Sequence, residues 1–218
     1  MNFDIAGILP IIIIALTTIT SIKGFGDMAF FDRYKFNVGA ILGHSKQWDR
    51  LLTSATLHGD YMHLIFNMYT FYIFSPYIIK ILGIWQFLAI YFLAIIAGGL
   101  LSLFVHRKEY YYSAIGASGG VVGVLFAAIA LYPQMTLGVM FVLPMPGWLF
   151  GIIYLAYSVY AMHKGHGNIG HDAHLGGAAV GLIMAIVFMP SILHRHIEYI
   201  GLMALPLIVL AYLVLKRK

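Results

Sequence analysis

The chain has no cysteine, and only 10% of its 218 residues carry a formal charge. The first absence excludes a disulfide, a thiol nucleophile and any thiolate-held metal. The second excludes more. A soluble domain is about 25% charged and about 45–50% apolar. Here 61% of residues are hydrophobic and the mean hydropathy is +0.89. That leaves too little polar material to cover a globule of this size. A soluble domain, a disordered chain and a nucleic-acid-binding module are therefore excluded, and no nucleic-acid partner is expected. A polytopic protein surrounded by lipid bilayer remains. Acidic residues are the scarcer sign, 8 against 13 Lys and Arg, for a net charge of +5. The basic residues sit in loops and at the ends of apolar runs, where membrane proteins carry interfacial anchors. Residues 1–4 contain no Lys or Arg, and no A-x-A site follows the apolar run at 5–22. That run reads as a first span rather than a signal peptide.

A spanning helix needs about 20 mostly apolar residues. Seven segments qualify: 5–22, 62–82, 84–105, 117–132, 137–162, 173–189 and 197–215. The predicted fold is an all-α polytopic membrane protein, read as a single membrane domain over 1–218. Its core runs over about 5–190, and an extra C-terminal helix follows at about 197–215. The fourth span is short and flanked by glycine, as suits a helix buried among others. The connection over 23–61 is long for a compact domain, and such loops are often functional. Its aromatics (Phe25, Phe30, Phe31, Tyr34, Phe36 and Trp48) predict packing at the membrane surface.

Polar residues inside a span are functional candidates by default. The second span opens with His63 and Asn67, four apart and on one helical face. The fourth opens with Gly116-Ala117-Ser118-Gly119-Gly120, and the sixth with Ala173-His174-Leu175-Gly176-Gly177, with Gly181 beyond. Consecutive spans alternate in direction, so the starts of spans two, four and six lie on one side of the membrane. Ser118, His174, His63 and Asn67 can thus meet at similar depth. Serine becomes a nucleophile when a base, usually histidine, takes its proton. Ser118 at a helix start also has unpaired backbone N–H groups and a favourable dipole beside it, able to hold an oxyanion. Asp172, two residues before His174, points elsewhere on a helix, so a Ser–His dyad is expected rather than a triad. Against this stands plain helix packing, for which small residues spaced like Gly177 and Gly181 are the usual material.

With those residues in place, the chain resembles the rhomboid family of intramembrane serine proteases from about Trp48 to Gly181. Trp48-Asp49-Arg50 looks like the family's Trp/Arg loop motif. Leu57-His58, His63 and Asn67 look like its second helix. Gly116-Ala117-Ser118-Gly119 matches the GxSG nucleophile motif, and Ala173-His174 with Gly177 and Gly181 matches AHxxGxxxG. The resemblance implies a six-helix transmembrane bundle with a seventh helix appended, and an intramembrane endopeptidase. Ser118 would be the nucleophile and His174 the general base. His63, Asn67 and the Ser118 N–H would form the oxyanion hole, with Gly116 and Gly119 in support. Gly177 and Gly181 would pack helix six against helix four, and Trp48 and Arg50 would anchor the first loop. The loop from Lys164 to Asp172 would cap the site, and helix five would border substrate access. Substrates would be transmembrane segments of other proteins. No cofactor and no metal are implied, and oligomeric state has no signature.

The chain departs from the family where many relatives carry an aromatic four residues after the nucleophile, stacked on the catalytic histidine; here Val122 occupies that position. Orientation sets two signals against each other. Family usage opens the site to the non-cytoplasmic side, and on that basis a bacterial-type cell membrane is expected. Yet every Lys and Arg except Lys80 and Arg195 falls on the active-site side, and a positive-inside count reads the other way. Two other functions compete: a catalytically inactive relative that binds membrane proteins, and a metal-dependent protein using His163, His166, His171 and His174.

Overall fold

The computed structural model describes residues 5–139, 143–164 and 170–216. In chain order its elements are α1 (Ile5–Gly26), α2 (Met28–Tyr34), β1 (Phe36–Asn37), α3 (Val38–Leu42) and α4 (Arg50–Thr53). A 3-10 turn (Ser54–Thr56), α5 (Tyr61–Leu82), α6 (Ile84–Val105), β2 (Ser113–Ala114) and α7 (Ser118–Leu131) follow. The rest are β3 (Thr136–Val139), β4 (Leu143–Pro146), α8 (Gly147–Lys164), α9 (His171–Phe188) and α10 (Ile192–Lys216). The protein is a helical polytopic membrane protein, as its composition requires. Among the described residues, five helices are long and apolar enough to cross a membrane: Gly7–Gly26, Tyr61–Leu82, Ile84–Val105, His171–Phe188 and Ile192–Val214. The apolar α7 is shorter.

α7 is the axis of the fold. Every residue from Gly119 to Leu131 is buried, so the short fourth segment is surrounded by protein, as its length and flanking glycines predict. Helix α9 lies against it through backbone. A Cβ built on Gly177 would overlap the carbonyl of Gly119, and one on Gly181 the carbonyl of Gly123. On the same helix, a Cβ at Gly176 would come within 2.8 Å of Gly98 Cα on α6. These glycines let three helices approach more closely than any side chain permits.

Two expectations about element boundaries change. The fifth segment does not run as one helix over 137–162. Its first part is a hairpin, with Thr136 opposite Pro146 and Val139 opposite Leu143, and the helix begins at Gly147. Pro144 and Pro146 are the cause, since proline holds itself and its predecessor out of a helix interior. The C-terminal helix begins at Ile192 rather than 197 and is kinked at His196.

The long loop after α1 is a folded layer. Phe36 pairs with Ala114 and Asn37 with Ser113, which ties the loop to the strand leading into Ser118. Beneath it Phe36, Val38, Ile41, Leu51 and Leu103 form a small second core. Arg50 is buried, and its guanidinium holds the layer together. It donates to the Gln47 side chain (2.6 Å) and to the carbonyls of Asp32 (2.9 Å) and Lys35 (2.6 Å). Trp48, by contrast, is exposed.

The α7–α9 contact leaves no room for a methyl group. Gly181→Val is expected to lower stability by at least about 1–3 kcal/mol through overpacking, read as a fall in the thermal midpoint in detergent. Gly201→Val, where nothing lies within 4 Å of a built Cβ, is expected to leave that midpoint within a degree or two.

Candidate active site

Ser118 is the first residue of α7, and the chain reaches it through Gly116. Gly116 adopts φ +118, a left-handed conformation that side chains disfavour. A Cβ there would lie 2.8 Å from His63 Cε1, 2.9 Å from His63 Nε2 and 3.7 Å from Ser118 Oγ. The missing side chain thus leaves a small space bordered by the imidazole of His63 and the hydroxyl of Ser118. The N–H groups of Ser118, Gly119 and Gly120 open α7 and have no intrahelical acceptor.

His63 and Asn67 come from the first two turns of α5. Asp60 caps this helix, accepting from the His63 N–H at 2.8 Å. Asn67 is buried, and its amide donates to the His63 carbonyl at 2.9 Å. That leaves its second amide hydrogen free.

His58 has a part that its place in the sequence pattern did not reveal. It is fully buried beneath the Gly116 turn. Its Nε2 accepts from the Ala117 N–H at 3.4 Å, and its Nδ1 lies 2.9 Å from Ser21 Oγ. The Ser21 hydroxyl already donates to the Thr56 carbonyl, so Nδ1 carries the proton and the ring is neutral. Burial, and then the neighbouring His63, push the His58 pKa down to about 3.

His174 lies in the first turn of α9. Its partner Ala173 sits beside α7, because a Cβ on Gly119 would be 3.4 Å from the Ala173 carbonyl oxygen. Ser118 and His174 therefore flank a contact between their two helices. Among the described residues no hydrogen bond joins them, and such bonds are often loose without substrate. The His174 ring instead meets Tyr154 of α8, whose Oη is 2.8 Å from Nδ1. Val122 is buried and aliphatic. Asp172 turns away, as expected, towards His106 at the end of α6, with Oδ2 3.3 Å from Nε2. Burial alone would lower the His106 pKa, but the bonds to Asp172 and Glu109 outweigh it and raise the value.

A cleft of about 1050 Å³ opens beside the site, between α5, α8 and the hairpin, with Phe66, Tyr69, Leu125, Phe150 and Tyr154 in its wall. Among the described residues no three His, Asp or Glu side chains could hold a metal ion. His166 and the middle of the predicted capping loop, 165–169, lie outside the described residues.

A family model described as the Rhomboid domain matches residues 45–191. RHOMBOID-like protein 12, mitochondrial, of Arabidopsis thaliana is 34% identical over 149 residues, covering 61% of this chain and 44% of its own. Rhomboid protein 1, mitochondrial, of Saccharomyces cerevisiae is 30% identical over 138 residues, 61% of this chain and 40% of its own. Presenilin-associated rhomboid-like protein, mitochondrial, of Homo sapiens is 34% identical over 140 residues, 61% and 36% respectively. The chain thus matches less than half the length of these relatives. Their names also correct one expectation. All three are mitochondrial, so the bacterial-type cell membrane with its outward-facing site is not supported.

A neutral buried His58 makes the site layer acid-sensitive. An unfolded histidine titrates near about 6.5, whereas the folded value is about 3. Its contribution is therefore complete above about pH 6.5 and declines as pH falls towards about 3. The thermal midpoint is expected to drop between about pH 7 and about pH 4.5. His58→Gln, which keeps an acceptor without a titrating ring, is expected to lessen that drop.

Proposed function

The chain belongs to the rhomboid family, and from that premise we propose that it is an intramembrane serine endopeptidase. It would hydrolyse peptide bonds in or near transmembrane segments of other membrane proteins. The observation that carries the reading is the space left by Gly116, which the Ser118 hydroxyl and the His63 imidazole both border at the start of a helix. Such a space suits a carbonyl carbon and its developing oxyanion.

In this mechanism His174 takes the Ser118 proton through Nε2 as Oγ attacks the scissile carbonyl. The tetrahedral oxyanion is held by the Ser118 N–H, the His63 ring and the free Asn67 amide hydrogen. His174 then returns the proton to the leaving amine, and the C–N bond breaks. Water, deprotonated by the same base, cleaves the acyl–Ser118 ester. Gly116 supplies the space and Gly119 the close approach of the helix carrying the base. Arg50 braces the loop above, with Trp48 at its surface. The relatives' names support a mitochondrial membrane as the setting.

A fluorophosphonate probe tests this reading on purified protein. The native chain is expected to be labelled, and Ser118→Ala and His174→Ala are not. Equal labelling of Ser118→Ala would remove the assigned nucleophile, and no labelling of folded native protein would favour the inactive relative. Asn67→Ala is expected to lower kcat roughly 100-fold or more, as loss of one oxyanion donor does elsewhere.

A further inference from the structure

The dyad lacks a third member in the usual sense. Asp172, the acid nearest His174 in sequence, bonds to His106, and α7 presents Val122 where an aromatic would stack. A catalytic imidazole free to rotate or change tautomer is a poor base, because the wrong nitrogen then carries the proton. One side chain addresses both faults. Tyr154 places its ring 6.1 Å from that of His174 at 25°, and its Oη 2.8 Å from Nδ1. Among the described residues it is the hydrogen-bond partner of that ring. Phe150 at 5.6 Å and Phe126 at 5.8 Å pack on the Tyr154 ring in turn.

Resting on the serine-protease reading, we propose that Tyr154 is the positioning residue of the catalytic base. Its phenolic oxygen accepts the Nδ1–H of His174, which leaves Nε2 unprotonated to receive the Ser118 proton. The orienting group thus comes from α8 instead of α7. A phenol is a neutral acceptor at working pH, so it fixes the tautomer with less stabilisation of the imidazolium than a carboxylate gives. Tyr154 also forms part of the cleft wall. A segment lying in that cleft would press on the residue that aims the base, which couples occupancy of the cleft to alignment of the dyad.

Tyr154→Phe tests the proposal, because it keeps the ring and removes only the acceptor. Two measurements are made on the full chain in detergent. The first is the rate of Ser118 labelling by a small fluorophosphonate, with kcat and KM on a transmembrane peptide alongside. The second is the ¹⁵N spectrum of histidine-labelled protein, with His174→Ala assigning the signal. Labelling and kcat are expected to fall roughly 10- to 100-fold, the weight of one hydrogen bond to a charged group, with KM little changed. The His174 signal is expected to move from the Nδ1–H tautomer towards a mixture. A variant that labels at the native rate and keeps the native tautomer would overturn the proposal, since ring packing alone would then suffice. The tautomer is read without any turnover. It therefore reports on Tyr154 even if Ser118 proves unreactive, and that result would strike the protease reading instead.

Discussion

The structure depends on the contact of α9 with α7, which is backbone against backbone. Gly177 and Gly181 press on the carbonyls of Gly119 and Gly123. This contact sets the distance between the helix that starts with Ser118 and the helix whose first turn carries His174. Lipid supplies no hydrophobic drive to bring helices together, so close van der Waals packing must do it. The glycines that stabilise the bundle are therefore the ones that bring Ser118 and His174 to one level. Substituting them strains stability and the placing of Ser118 and His174 together, because one contact serves both.

Around that contact, neighbouring side chains hold the backbone that carries the polar groups. Asp60 caps the helix bearing His63, and His58 takes the N–H just before Ser118. The first loop reaches the site through the pairing of Phe36 with Ala114, and Arg50 locks that layer by neutral acceptors. A buried guanidinium without a carboxylate partner is costly unless its donors are filled. The Gln47 side chain and two carbonyls take three of its five donors.

Much of this was legible in the sequence because lipid makes polarity expensive. Ser118, His63, Asn67 and His174 stand out against apolar spans, and their common side follows from alternation alone. The limits of α6 and α7 were also readable from hydropathy. The fifth segment was misplaced because Leu143-Pro144-Met145-Pro146 is apolar, and hydropathy does not see that proline forbids a helix there. Tyr154 was invisible for another reason. It is one aromatic among many on α8, and only the tertiary arrangement brings its hydroxyl to the imidazole. Arg50 was expected to anchor the first loop, but the acceptors it uses, the carbonyls of Asp32 and Lys35, could not be read from the sequence.

The length of α7 carries a further consequence. Its 14 residues rise only about 21 Å, while the hydrocarbon layer is about 30 Å thick. If the helix stands upright, at least one of its ends lies inside that layer. The proposed hydrolytic site at such an end would work at the bottom of a well, and the well's depth would depend on the surrounding lipid. A thinner bilayer shortens the path for water and lengthens the part of a substrate that lies clear of acyl chains. Bilayer thickness would then act on the proposed reaction as a kinetic variable, through nothing more than a helix too short to span.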